Sequence, residues 1–349
     1  MAREIIQHSK PSIGEEEIIA AGRAVRSGYL SQGKKVEELE GRLAEFFGVR
    51  GAVAVNSGTS ALHLSLLGLG ISVSSEVLLP SYVCSAPMNA VYYTSASPVL
   101  CDIDARAYNI DPGDINGKKT DRAKAVIVPH IFGNVADLER IGESGLTIIE
   151  DCAHSAGAMY GEKPAGSVGK ASILSFYANK MLGCGEGGAL LSDDSGLLNA
   201  ARDLRDYDEK EIYRVRYNYK MTDIQAAIGL VQLKKLPGFV ARRKEIAGIY
   251  TGAFSGLDIV LPEAEFDHVY YRYVIKTKNE SDRAVGFFRE KGIMAAKPVF
   301  KPLHRLLETR PGFRNTDEAY ACLVSIPLYP SLTDKEISRV IEAVKAFFG

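Results

Sequence analysis

Two helices are predicted at the start of the chain by the spacing of apolar residues. In KKVEELEGRLAEFFG, Val36, Leu39, Leu43, Phe46 and Phe47 recur at helical intervals, so one face is buried, and Gly48 supplies the stop. The preceding segment, SIGEEEIIAAGRAVRSG, opens with Ser12 and three glutamates, an acidic start that complements a helix dipole, and ends at Gly28. From residue 51 the pattern changes. GAVAVNSG, SEVLLPS, SPVLCDID, KAVIVPH, LTIIEDCAH, ASILSFYANK and GGALLS are runs too short for helices and mostly apolar on both faces, as strands of a covered parallel sheet must be. They predict an α/β protein with a mainly parallel sheet covered by helices. In such sheets ligands bind beyond the carboxyl ends of the strands, where the polar residues of these runs fall: Asn56 to Thr59, Asp102, His130, Asp151 to His154, and Lys180.

After QLKKLPGF the texture shifts. Pro237 and Gly238 predict a break in a long helical pattern, after which YYRYVIKT reads as a strand and RAVGFFREKGI as a helix. This predicts a large domain over 1–236 and a smaller α+β domain over 237–349. The last helix is announced by Thr333 and Glu336, spaced as a capping box, and by a staple from Leu332 to Ile337. Its buried stripe is Ile337, Val340, Ile341 and Val344.

Composition narrows the setting. The 349 residues are 46% hydrophobic and carry a formal charge of −1, as in a globular protein, and no basic helix or patch points to nucleic acid. No apolar run approaches the roughly 20 residues that cross a bilayer, and the first residues lack a signal-peptide core, which points to a cytoplasmic protein without a membrane partner. Five cysteines without a C-x-x-C pair fit reduced thiols. Cys152 and His154 form a C-x-H, but two ligands fall short of a zinc site, so no metal is expected.

Three stretches could carry chemistry. Asp151 closes an apolar run, and a buried carboxylate must be paired or hydrogen-bonded. It reads either as a cap or ion pair, or as the partner of a protonated ring nitrogen such as that of pyridoxal phosphate. Lys180 stands between an apolar run and the glycines 183, 185, 187 and 188, which would let the backbone turn sharply beside a ligand. It reads as a surface lysine, or as an amine that attacks an aldehyde to form a Schiff base. In VAVNSGTSALHLSLLGLG a strand runs into a helix at Asn56, Ser57 and Gly58. Free N–H groups and the hydroxyls of Thr59 and Ser60 would converge there on one phosphate, or simply cap the helix. Neither a Walker loop nor a dinucleotide glycine fingerprint is present.

Taken in order, NSGTSALHLSL, IIEDCAHSAGAMYGEKPAGSVGKASILSFYANKMLGCGEGGAL and RYNYKMTDIQAAIGLVQLKKL resemble successive signatures of the DegT/StrS sugar aminotransferases (DegT/DnrJ/EryC1/StrS). These are pyridoxal phosphate enzymes with the aspartate aminotransferase type of fold (fold type I). The resemblance runs from SGYLSQGKKVEELE to IPLYPSLTDKEI. It implies that Lys180 holds the cofactor, that Asp151 pairs with its ring nitrogen, and that His154 lies near its ring hydroxyl. It also implies that Gly58, Thr59 and Ser175 bind its phosphate, and that Asn218 reaches the phosphate of a neighbouring subunit's cofactor, making a homodimer with shared active sites. Tyr29 and His304 match positions near the sugar. The substrates implied are an amino-acid donor, glutamate or glutamine, and a nucleotide-linked keto-sugar, in amino-sugar and surface polysaccharide synthesis. Two departures stand out. Cys84 occupies a position where the family usually stacks an aromatic ring on the cofactor, and soft sulfur packs against a ring without replacing its π surface. Tyr82 is the nearest ring available to substitute. Lys220 stands where the family often has arginine. A sugar dehydratase of the same family, which would replace the Schiff-base lysine by histidine, is disfavoured by Lys180. A non-catalytic sugar- or cofactor-binding regulator would bind without transferring an amino group.

Overall fold

The computed structural model, which describes residues 5–307 and 312–349, is organised by a seven-stranded sheet. Its strands are β1 (Gly51–Val55), β2 (Glu76–Pro80), β3 (Ser97–Cys101), β4 (Ala123–Pro129) and β5 (Thr147–Asp151); after a small hairpin of β6 (Met159–Tyr160) and β7 (Lys163–Pro164) come β8 (Ala171–Ser175) and β9 (Gly188–Ser192). The spatial order is β1-β9-β8-β5-β4-β2-β3. Pairing is parallel except at β9, which runs antiparallel to both β1 and β8.

The doubly apolar strands are explained by cover on both sides. Helices α1 (Glu15–Ser27) and α2 (Lys34–Phe47) open the chain, α3 (Gly58–Gly68), α4 (Ala86–Tyr93), α5 (Pro112–Lys118), α6 (Leu138–Gly142) and α7 (Ser195–Leu204) connect the strands, and α8 (Asp223–Phe254) follows. Alternate strand residues enter opposite cores. Val53, Val55 and Leu190 pack with Leu62 and Leu66 of α3, Val91 of α4 and Leu198 of α7. Ala52, Ala54 and Leu191 pack with Leu39 and Phe47 of α2 and Leu236 of α8.

One helix cap and one ion pair come from far away in sequence. Helix α2 follows Gly33, which has no side chain to cap it. The carboxylate of Asp223 accepts instead from the N–H groups of Gly33 (2.8 Å), Val36 (3.1 Å) and Lys35 (3.2 Å), so one buried anion serves the positive end of a helix nearly 200 residues earlier. Helix α1 starts at Glu15 rather than at Ser12, and Glu17 is not a solvated first-turn acid. It is buried, accepts from the Gly14 N–H at 2.9 Å and from Lys235 Nζ at 2.9 Å, and its carboxyl is held below the usual range: burial works against this, and the Lys235, Gly14 and Gln232 donors outweigh it.

The expected break at Pro237 and Gly238 does not occur, because α8 continues unbroken for 32 residues. Proline inside a helix loses a hydrogen bond and costs roughly 3 kcal/mol. Here both residues are exposed, while Leu233, Leu236 and Val240 on the other side are buried, so packing holds the helix through the defect. Its last turns enter a separate core with Ile246, Tyr250 and Phe254. That core is completed by β10 (Tyr273–Lys276), α9 (Ser281–Glu290), the antiparallel partner β11 (Leu323–Ile326) and α12 (Asp334–Phe348); the short α10 (Leu303–Leu306) and α11 (Arg314–Cys322) lie between α9 and β11. The capping box of Thr333 and Glu336 forms as the spacing predicts, with Leu332 and Ile337 both in this core. YYRYVIKT yields a strand only from Tyr273.

Candidate active site

At the carboxyl end of β1 the chain turns through Asn56 and Ser57 into α3. Ser57 caps the helix, its Oγ accepting from the Ser60 N–H at 3.1 Å, and the Ser60 hydroxyl donates to Asn56 Oδ1 at 2.7 Å. The Ser60 hydroxyl is therefore committed within the turn, contrary to the expectation that it joins Thr59 around a phosphate. The N–H groups of Gly58 and Thr59 remain at the helix start, which suits an anion. Close approach explains the glycine: a Cβ on Gly58 would meet Ser175 Cβ at 3.0 Å, so the helix start and the end of β8 lie against each other. A Cβ on Gly188 would meet the Gly58 nitrogen at 2.6 Å. Beside this turn opens a cleft of about 350 Å³ lined by Ser57, Thr59, Ser60, Ser85, Asn89 and Tyr219, among others.

Asp151 ends β5, and Ile173 of β8 is its neighbour in register, so the loop carrying Lys180 leaves the strand next to it. The carboxylate is buried, and its one hydrogen bond among the described residues comes from the Ala153 N–H at 3.0 Å. Burial raises its pKa, against the pull of Ala153, Lys180 and His130. A positively charged donor is what such a carboxylate lacks, and a protonated ring nitrogen meets that need. Lys180 is half-buried, with Nζ 5.1 Å from the centroid of the Tyr271 ring. His154 stacks on the same Tyr271 ring at 4.1 Å and 15°, and Tyr271 donates its hydroxyl to Asn179 Oδ1 at 3.2 Å. Burial, then Lys180 and Arg272, push the His154 pKa well below the ordinary histidine value, so its imidazole is neutral. Gly133, at φ 90°, lets a turn press against this group, since a Cβ there would meet the Tyr271 nitrogen at 2.9 Å and the His154 carbonyl oxygen at 3.0 Å.

Tyr271 had no signal in the sequence: it lay within a run read as strand, and only the fold brings it beside residues more than 90 positions earlier. Tyr82 does not stand in for the missing stacking ring. It is 1% exposed and packs edge-on against Phe132, 6.3 Å between centroids, in an apolar cluster with Val299 and Leu323. Cys84, two residues on, is exposed and within electrostatic reach of Lys180 and Asp151.

Behind Asp151 lies a buried group that superficially fits a metal: His130, Glu150 and Cys152 have ligand atoms within 4.8 Å of one another. Its donors are already assigned. Glu150 accepts from the N–H groups of Gly166, Val168 and Gly169 at 2.6–2.8 Å and from His130 Nε2 at 3.0 Å, while His130 Nδ1 accepts from the Ala136 N–H. The proton of His130 therefore sits on Nε2, and the pair works as a clamp tying β4, β5 and the turn before β8. His154 is not one of the three; its ring stacks on Tyr271.

The remaining candidates are spread out. Asn218 is exposed on the coil before α8. Tyr29, 78% exposed, lies in the α1–α2 loop over a groove shared with α8. His304 is buried: Nδ1 meets Ser81 Oγ at 2.7 Å, Nε2 meets Asp317 at 3.2 Å, and Phe313 stacks on the ring, so both nitrogens are engaged. Lys220 pairs with Asp206 and Asp208 at 2.7 and 2.9 Å.

A mainly parallel sheet with a buried carboxylate and an open helix start at its strand ends, and a lysine in the loop that follows, fits the arrangement of an aminotransferase. The chain belongs to the DegT/DnrJ/EryC1/StrS aminotransferase family, whose profile matches residues 11–345. It is 35% identical over 377 aligned positions to the spore coat polysaccharide biosynthesis protein SpsC of Bacillus subtilis, covering 97% of this chain and 96% of that one. It is likewise 35% identical to the GDP-perosamine synthase of Caulobacter vibrioides, over 90% of each. Among solved structures, the PLP form of the putative sugar aminotransferase Spr1654 from Streptococcus pneumoniae superposes with a TM-score of 0.93 at 26% identity, covering 98% of each chain.

Proposed function

We propose that this sugar aminotransferase uses pyridoxal phosphate to move an amino group from glutamate or glutamine onto a nucleotide-linked keto-sugar, in the cytoplasm, for amino-sugar and surface polysaccharide synthesis. The observation that carries the reading is the buried, under-donated Asp151 at the end of β5, beside β8, the strand that leads into the loop of Lys180, in a chain of this family. Bound pyridoxal phosphate supplies an electron sink that stabilises the charge left when a proton leaves the substrate carbon beside the nitrogen. In this reading Lys180 Nζ anchors the cofactor and, once released, takes that proton and returns it. Asp151 holds the proton on the cofactor's ring nitrogen, and neutral His154 lies near the ring hydroxyl, steadied by Tyr271. The N–H groups of Gly58 and Thr59 with the hydroxyls of Thr59 and Ser175 hold the phosphate; Ser60 supports them through the turn. Asn218 serves the cofactor of the partner subunit in a homodimer. Tyr29 contacts the sugar, while His304 shapes the pocket by fixing Ser81, three residues before Cys84. The relatives named for polysaccharide biosynthesis and for GDP-perosamine synthesis support the substrate class. The test is a screen of nucleotide-linked keto-sugars with glutamate and with glutamine, read by mass for the amino-sugar. Amine formation that depends on Lys180 supports the reading. A Lys180→Ala protein with undiminished turnover, or no amine from any keto-sugar, overturns it.

A further inference from the structure

The stretch Tyr217-Asn218-Tyr219 is pinned from two directions. On one side the N–H groups of Tyr217 and Tyr219 donate to the carbonyls of Leu204 and Arg205 at the end of α7, at 2.8 and 3.0 Å. On the other, a single residue grips two consecutive carbonyls: the Asn56 N–H donates to Tyr219 O at 2.9 Å, and the Asn56 side-chain Nδ2 donates to Asn218 O at 3.2 Å. The rings of Tyr217 and Tyr219 stack on each other at 5.0 Å and both meet His63 edge-on, so they face the chain's own core. In an extended segment neighbouring side chains point to opposite sides. Asn218 therefore points outward, and its amide makes no hydrogen bond among the described residues. The coil before it exposes Tyr207, Ile212, Tyr213 and Val215, an apolar strip of the kind that a second copy would cover.

The other end of the Asn56 side chain belongs to a different site. Its Oδ1 accepts from the Ser60 hydroxyl, which also lies 2.8 Å from Ser57 Oγ, the cap of α3. One asparagine thus bridges the helix start of its own subunit and the peptide that presents Asn218 outward. We infer that Asn56 is a positioning residue that acts across the subunit boundary: it holds Asn218 in the geometry needed by the partner's cofactor site, while sitting beside its own. The inference rests on the reading above that Asn218 serves the partner's cofactor phosphate.

The test uses mixed dimers and measures cofactor loading rather than turnover, with pyridoxal phosphate titrated, trapped by borohydride and quantified on the Lys180 peptide by mass. The Asn56→Ala homodimer should need roughly fivefold more cofactor for half-loading, the effect of one lost hydrogen bond. In a dimer of one Asn56→Ala subunit and one Lys180→Ala subunit, the only remaining Lys180 faces an Asn218 whose own Asn56 is intact. That dimer should load at the unaltered concentration. Weak loading there, or an Asn56→Ala homodimer that loads normally, overturns the inference. Asn56→Ser, which can still accept from Ser60 but is too short to reach Asn218, should behave as Asn56→Ala and replaces it if that variant does not fold. A parallel dimer of Asn218→Ala and Lys180→Ala subunits isolates the underlying reading: if it loads as weakly as the Asn218→Ala homodimer, Asn218 does not cross between subunits, whatever Asn56 does.

Discussion

The imidazole of His154 lies flat on the ring of Tyr271, centroids 4.1 Å apart and planes 15° from parallel, while Lys180 Nζ stands 5.1 Å from the same ring. Tyr271 thus forms a wall shared by the proposed anchor and the proposed ring contact. Losing the ring should matter more than losing its hydroxyl. Tyr271→Leu is expected to weaken cofactor retention roughly threefold to tenfold, the range of an aromatic pair. Tyr271→Phe, which gives up only the bond to Asn179, should stay near the parent. Titration of trapped cofactor compares them, and equal losses in both variants would assign the effect to the hydroxyl instead.

Stability should fall on the acid side of neutrality because histidines are buried uncharged. Burial brings His63 down to about 4, and His268 down to about 3. Unfolded, each titrates near 6.5, so below that pH the unfolded chain binds protons that the folded chain refuses. The stabilisation is complete above the unfolded value and is lost as the pH falls toward the folded ones. Each histidine contributes a slope of up to about 1.4 kcal/mol per pH unit in that window. Urea midpoints should be level between pH about 8 and 7 and decline from about 6 to 5. A midpoint that stays level or rises over the acid range contradicts this account.

Asp223 caps a helix that has no cap of its own. Asp223→Ala strands three backbone donors of α2 and should cost roughly 2–4 kcal/mol, with Asp223→Asn costing less because one acceptor oxygen remains. Thermal unfolding of the three proteins side by side checks the order. If alanine leaves the midpoint unchanged, the long-range cap contributes nothing to stability.

Among the five cysteines only Cys84 is exposed; Cys101 and Cys184 are buried, and burial pushes each thiol up to about 12. The walls around Cys84 also raise its thiol pKa, partly offset by the Ala86 N–H and Lys180, so alkylation should be slow at neutral pH and accelerate in mild alkali. Iodoacetamide should modify Cys84 first, and bound pyridoxal phosphate should protect it. Peptide mapping reads both effects. Modification that proceeds equally fast with and without cofactor would place Cys84 outside the site.

What the sequence made legible follows from how far each interaction reaches. Asp151 stood out because it closes an apolar run, and Lys180 because it stands between such a run and a glycine-rich turn; the sheet sets the two runs side by side. Thr333 and Glu336 were readable because a capping box spans three residues. Pro237 misled because helix continuity there is decided by Leu233, Leu236 and Val240 packing on other elements, not by the local defect. Asp223 under Gly33, Glu17 on Lys235 and Tyr271 on His154 join positions roughly 100 to 220 residues apart, and no local pattern encodes them. Tyr82 and Cys84 differ for the same reason: two residues apart on one loop, one turns into a core with Phe132 and Leu323 and the other is exposed.

The central claim is that Lys180 is the point of attachment for pyridoxal phosphate. The most direct measurement incubates the purified protein with the cofactor, reduces it with borohydride and maps the modified peptide by mass. The account predicts a visible-range absorption band that disappears on reduction and a single pyridoxyl group on Lys180, absent from Lys180→Ala. Label on another lysine, or a colourless protein left unmodified, would contradict it.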